Sequence, residues 1–396
     1  MTETARPAER EQNLRKLAQM MNSRHRFPFP ISKELVDCFD VALTSDEVEF
    51  LLRVGTEPLT RPEVLARSGL REDLAEALFK QLVKKGLLWS SATGDKGEVF
   101  LLAGIMLGWF EVYLSDGQET PEKKEFAVRL DRLFRSFGKM NSFLMRALVN
   151  YKMKGLKPAQ SIVAPQITEP SGGRTIPVNR DVDAAPMKVY PAKTVLQLVE
   201  KHGDASSIAL VHCFCRHYHK LIGEACRFQQ PPESCIVIGS LAHHAVTYGS
   251  AKYISKQEAK TLIQELEKKG AVHQVFHQEE DAEQPEIAIC NCCWDCCGVF
   301  GSYNRGFLPL RFRSYFEARL ADASLCSGCE MCVEYCPVQA IAMVAGKASI
   351  NARKCIGCGQ CELQCAEECI GMIPNERDVF LPLEKRSEPR INSRIS

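Results

Sequence analysis

The chain has 396 residues, a quarter of them charged, with 50 Lys and Arg against 49 Asp and Glu, a length that allows two or three domains. No apolar run approaches the ~20 residues of a membrane span, and Met1 to Arg15 carries both charges around no apolar core, which excludes a spanning segment and a secretion signal. Nineteen cysteines in a long, non-secreted chain point away from a disulfide scaffold and toward metal ligation in a reducing cytoplasm, with an anaerobe as the natural host.

From Leu43 to Phe110 the pattern reads helix, turn, helix, turn, helix, hairpin. Asp46 to Val54 is amphipathic, Thr60-Arg-Pro-Glu opens a second helix and Ser68-Gly69 ends it. Arg71 to Lys85 aligns Leu74, Leu78 and Leu82 on one face. Leu87 to Trp89 and Glu98 to Leu101 then flank a hairpin turn at Gly94 to Gly97. This order resembles a winged helix-turn-helix domain over about 43–110. Asp46 to Glu98 holds ten acidic and eight basic residues, and Glu72, Asp73 and Glu76 start the would-be recognition helix. Specific nucleic-acid binding is therefore disfavoured against protein contact.

Pro121 to Lys157 reads as two helices, and Glu122 to Lys157 carries ten basic and three acidic residues. A basic helix is usually a solvated face. It could also dock the acidic C-terminal segment, which holds Asp322, Glu330, Glu334, Glu362, Glu367 and Glu368. Residues 158–190, with Pro170-Ser-Gly-Gly173, read as a linker.

Order returns with a helix over Ala192 to Lys201 and a strand over Ser207 to Val211 that runs into Cys213-Phe-Cys215. A second apolar run, Cys235 to Gly239, and a helix from Ser255 to Gly270 follow. Strands at Ala271 to Phe276 and Ile287 to Ile289 lead to Cys290-Asn-Cys292-Cys293-Trp-Asp-Cys296-Cys297. This alternation argues an α/β domain over 191–313. Scattered cysteines can be ordinary core residues, but C-x-C and CC-x2-CC suit a soft metal or a redox site. Cys213, Cys215, Cys226, Cys235, Cys290, Cys292, Cys293, Cys296 and Cys297 are the candidate ligands of a further centre, an additional iron–sulfur cluster or another metal. Each C-x-C follows a strand. If the strands are parallel neighbours, the pairs converge beyond their carboxyl ends, and an extended C-x-C points both thiols one way. Cys296-Cys297-Gly298 is similar to the cysteine motif of heterodisulfide reductase subunits. His243, His244, His273 and His277 read as ordinary polar positions.

Near the C-terminus, Cys326-x2-Cys329-x2-Cys332-x3-Cys336-Pro337 is repeated 29 residues later as Cys355-x2-Cys358-x2-Cys361-x3-Cys365. Three thiolates on one loop and a fourth carried away suit a [4Fe-4S] cubane, and in the two-cluster arrangement each fourth cysteine serves the other cluster. Cys326, Cys329, Cys332 and Cys365 then hold one cluster, and Cys355, Cys358, Cys361 and Cys336 the second. Asp322 to Ile373 resembles the bacterial two-cluster ferredoxin domain, a family of electron carriers. Cys365 lacks the following proline, and Cys369 lies near it. Aligning the repeats puts Cys369 opposite Ala340, outside the ligand positions.

The expected fold is thus multidomain α+β: a helical region 1–157 with a winged-helix-like module, the linker, the cysteine-rich α/β domain, a dicluster ferredoxin fold over 314–375 and a tail over 376–396. The first functional reading is an iron–sulfur electron-transfer protein with a redox partner protein. The others are a reductase with its substrate site in the cysteine-rich domain and a redox-sensing regulator. No G-x-G-x-x-G fingerprint supports a Rossmann-bound nicotinamide or flavin. A catalytic residue is not identified, and a homo-oligomer stays open.

Overall fold

The structure, a computed structural model, describes residues 7–23, 29–93, 97–139, 143–155, 160–162, 195–202, 207–276 and 288–383. Its contacts divide the chain into two units. One comprises Met1–Ser136, Val211–Ala225 and Ser240–Lys252; the other comprises Phe137–Leu210, Cys226–Gly239 and Tyr253–Ser396.

In the first unit, helices Ala8–Asn22, Lys33–Ala42 and Ser45–Val54 precede β1 (Leu59–Thr60), helices Arg61–Ser68 and Glu72–Lys84, and the hairpin of β2 (Leu88–Thr93) and β3 (Gly97–Leu102). The three strands are ordered β1-β3-β2. Thr44 and Glu47 form a capping box, and the buried Glu47 carboxylate also accepts from Lys85 Nζ at 2.9 Å. At the next helix Glu63 reaches back to the Thr60 N–H (2.8 Å), and Gly69 ends it at φ 66°. The buried stripe of Glu72–Lys84 is Ala75, Phe79, Leu82 and Val83. Leu74, aligned by spacing with Leu78 and Leu82, is half exposed, because Phe79 packs edge-on against Phe100 of β3 and sets the helix rotation. Of the hairpin turn expected at Gly94 to Gly97, residues 94–96 lie outside the described residues and Gly97 opens β3. Trp109, Phe110, Tyr113 and Phe126 stack into a second aromatic core with Phe39. The two later segments bond back onto this unit: Tyr218 Oη donates to Asp131 (2.8 Å), and the Ser90 N–H donates to His244 Nδ1 (3.2 Å). Part of the expected basic face is neutralised internally, since Arg129 pairs with Glu125 and Arg135 with Asp131, both at 2.6 Å.

The second unit is built on one large sheet. Its strands are β4 (Gln160–Ile162), the first part of β5 (Ile208–His212), β6 (Glu233–Ile238), β8 (Val272–Phe276), β9 (Ala288–Cys292) and β10 (Leu310–Leu320), while β7 (Ala251–Tyr253) belongs mainly to the first unit; a small hairpin of β11 (Ile341–Val344) and β12 (Lys347–Ile350) precedes β13 (Ile370–Leu381). The order runs β13-β10-β4-β8-β9-β6 and on to β5. Three departures from the sequence reading matter. First, the expected linker contains β4 at its start, paired with β8 and β10. Gln160-Ser161-Ile162 joins through backbone bonds that hydropathy does not signal; residues 163–194 lie outside the described residues. Second, β8, β9 and β6 pair antiparallel, and β6 stands between β9 and β5 in the strand order, so the two strands that precede the C-x-C pairs are not adjacent. Only eleven residues separate β8 from β9, short of a helical crossover. Third, the boundary expected at 313/314 cuts through β10, which pairs with β13 from Leu310↔Leu381 to Leu320↔Ile370, so that Glu376–Leu381, expected as tail, is strand. The paired cysteine runs are carried between these two strands.

Alternation along the strands separates the faces of the sheet. Ile236, Val275 and Ile289 pack on one side with Val195, Leu198 and Ile263 of helices Val195–His202 and Lys256–Lys268. Val272 and Cys292 face the other side, in one core with Trp294, Cys297, Phe300, Phe312 and the ferredoxin-run cysteines Cys326, Cys332, Cys336, Cys355 and Cys361.

Candidate iron–sulfur and metal centres

The two cysteine runs fold into equivalent loops. Each C-x-G-C places its glycine at positive φ, Gly328 at 77° and Gly357 at 69°. A side chain there would collide: a Cβ at Gly328 would lie 2.8 Å from the Gly346 carbonyl oxygen, and one at Gly357 would overlap the Phe316 carbonyl oxygen. Glu330 and Gly359, one residue beyond the second cysteine of each run, share the left-handed conformation, as do Gln339 and Glu368, three beyond the fourth. The turns aim the first three thiols inward, and short helices, Met331–Tyr335 and Gln360–Leu363, carry the chain on to the fourth.

Two small cavities result. Cys326, Cys329, Cys332 and Cys365 line the first, together with Cys369; Cys336, Cys355, Cys358 and Cys361 line the second. The fourth cysteine of each run thus stands in the other run's cavity. Backbone donors point at the sulfurs: Ala318 N–H at Cys355 Sγ (3.3 Å) and Ala340 N–H at Cys336 Sγ (3.2 Å). Burial pushes the Cys358 and Cys361 thiols up, with neighbouring cysteines adding to the effect; backbone N–H groups of Ala348 and Gly328 bring Cys326 down. Four thiolates cannot share such a space without a cation, and donors held around a void fit a multi-iron cubane. Cys369 Sγ lies 3.4 Å from Cys365 Sγ, which the repeat alignment had not anticipated; burial, then Cys365, pushes its thiol up to about 12.

The second loop is anchored to the cysteine-rich sheet. Gln360 Nε2, buried between Cys358 and Cys361, donates to the Ala271 carbonyl (2.7 Å) and the Glu267 carbonyl (3.2 Å). Burial and the nearby Glu362 raise the Glu267 carboxyl to about 7.

Of the candidate ligands in the middle of the chain, Cys226, Cys293 and Cys296 come together with Asp295, all four donor atoms lying within 4.8 Å of one another. Cys292 contacts Cys290 and Cys297, whose Sγ also receives Gln274 Nε2 at 3.6 Å. Cys290 and Cys292 share a face of β9 as their spacing implied. Cys213 and Cys215 do not form an extended pair. Cys213 caps the helix Phe214–Leu221 and Cys215 is inside it, and the helical turn rotates the two thiols apart; both belong to the first unit. Cys235 lies in β6. His273 is a neutral core residue: burial lowers it to about 4, and its Nδ1 meets Asn291 Oδ1 at 2.6 Å. His277 lies outside the described residues.

Sequence reasoning missed Asp295, although it sits inside the CC-x2-CC run, and missed Trp294, whose Nε1–H donates to the Glu334 carbonyl at 3.0 Å. That bond seats the cysteine-rich loop on the helix leading to Cys336.

Residues 319–369 match the family described as a 4Fe-4S dicluster domain. No curated protein and no solved structure matches the chain. The C-terminal region is an iron–sulfur, ferredoxin-like domain. Among the described residues no helix is long and apolar enough to cross a membrane.

Proposed function

We propose that the protein is an electron carrier in which two [4Fe-4S] clusters, one per cavity, pass single electrons to or from a partner oxidoreductase. The observation that carries this reading is the exchange of fourth cysteines, Cys365 lining the first cavity and Cys336 the second. Bound there, the clusters supply one-electron chemistry at low potential, since all-cysteine ligation and acidic surroundings favour the oxidised state. The chain's own residues fix the thiolates and direct N–H groups at Cys336 and Cys355. Cys365 is the fourth ligand at the first cavity by its place in the repeat, with Cys369 a contact of that ligand.

The first cavity is the entry point for electrons. Cys329 is exposed, and so are Leu325, Met331 and Val344 in the segments around it. Glu330 and Glu367 line the same cavity. An apolar patch with an acidic rim suits a partner of opposite charge. The helix-strand-helix-helix-hairpin order of the first unit supports a winged-helix reading, and its acidic Glu72–Lys84 helix start supports a protein-contact role.

Reductive titration of the anaerobically prepared full chain, followed by electron paramagnetic resonance, tests the proposal. It should take up about two electrons and develop the signal of two interacting reduced clusters. A chain that takes up none is not a carrier.

A further inference from the structure

The CC-x2-CC loop differs in kind from the ferredoxin-like loops. Cys293 Sγ lies 2.7 Å from Cys296 Sγ and 3.4 Å from Cys226 Sγ, although Cys226 comes from a loop 67 residues earlier. The Asp295 carboxylate completes the set. Its Oδ2 accepts the Arg227 N–H at 2.6 Å, while Oδ1 is buried with no hydrogen-bond partner among the described residues. An unpaired buried carboxylate oxygen beside three thiols is unfavourable unless a cation meets it.

Spacing decides what cation. Ligands about 2.3 Å from one tetrahedral ion lie about 3.8 Å apart, whereas a cubane interposes iron and sulfide and holds its thiolates much farther apart. The Cys226 group, with every donor within 4.8 Å of the others, is compact enough to close on a single ion, with Cys293 and Cys296 moving apart to take it; among the described residues the cysteines around the two cavities form no such compact group. A Cys293–Cys296 disulfide would use two of the three thiols and leave Cys226 and Asp295 Oδ1 unexplained.

We infer that Cys226, Cys293, Cys296 and Asp295 bind one zinc ion, separate from the iron–sulfur clusters and independent of the electron-transfer reading. With four protein ligands the site is closed, as structural zinc sites are. It ties the loop following Cys226 to the loop carrying Trp294. Around that tie, Phe228 packs against Trp294 and Tyr335 (5.9 and 5.4 Å between ring centres) and Arg227 pairs with Glu334 at 2.8 Å. The ion therefore ties two loops together, while the ring contacts and the Arg227–Glu334 pair seat the helix Met331–Tyr335 without it.

The test uses the full chain prepared without oxygen, with zinc, iron and acid-labile sulfide measured together and the cluster resonance recorded on the same sample. Wild type should carry one zinc. Cys296→Ser should lose it, and Asp295→Asn should release it to a chelator at least ten times faster, with sulfide and resonance unchanged in both. Cys235→Ser should keep it. Zinc-free wild type, zinc retained in Cys296→Ser, sulfide lost from Asp295→Asn, or a Cys293–Cys296 disulfide in alkylated protein would each overturn the inference.

Discussion

Two groups of thiols in the second unit are organised in opposite ways. Around the ferredoxin-like loops nine cysteines line two spaces; at the CC-x2-CC loop three cysteines and Asp295 touch or nearly touch. The first arrangement needs backbone held in the left-handed region to keep thiols apart, and the second needs a distant loop brought in to close the set. The difference teaches that cysteine density does not identify a centre: a void with donors around it selects a cluster, and donors in contact select an ion.

The two groups of thiols separate most sharply at Gly357. A Cβ there overlaps the Phe316 carbonyl oxygen and approaches Ser314 Oγ at 2.7 Å, and φ 69° adds the left-handed cost, about 1–2 kcal/mol. Gly357→Ala should abolish the second cavity's cluster, seen as loss of about half the iron and sulfide, while the zinc expected at Cys226, Cys293 and Cys296 stays. Equal loss of both metals would mean that the two groups fold as one.

A smaller effect sharpens the seam between them. Glu267 supplies a carbonyl to Gln360, and its carboxyl is raised to about 7 from an ordinary 4.5. A carboxyl raised on folding contributes stability fully present below about pH 4.5 and lost as the pH rises through 7. Glu267→Gln should therefore stabilise the protein at pH 8 by on the order of 2 kcal/mol and leave it nearly unchanged at pH 5, read from thermal midpoints under anaerobic conditions. A midpoint difference independent of pH would remove Glu267 from the account.

How far these groups were legible in sequence follows from locality. Cys326 to Cys336 and Cys355 to Cys365 state their geometry in a repeated spacing, with the glycines that make the loops inside it. Cys226 carries no such mark, because its relation to Cys293 is made by packing of Phe228 and Trp294 rather than by spacing. Asp295 could have been noticed between Cys293 and Cys296, but an acidic residue in a loop is ordinarily solvated. Sheet direction was not legible, because alternating helices and strands leave it open to a parallel sheet, whereas β8, β9 and β6 are antiparallel. Cys213-Phe-Cys215 looked like a strand end and is a helix start, since Cys213 adopts a capping conformation before Phe214.

The most direct test of the central claim is the count of iron and acid-labile sulfide in the full-length chain prepared without oxygen. Two cavities, each with four cysteine ligands, predict about eight of each per chain. A colourless protein that holds zinc at Cys326 to Cys365 and no sulfide would contradict it.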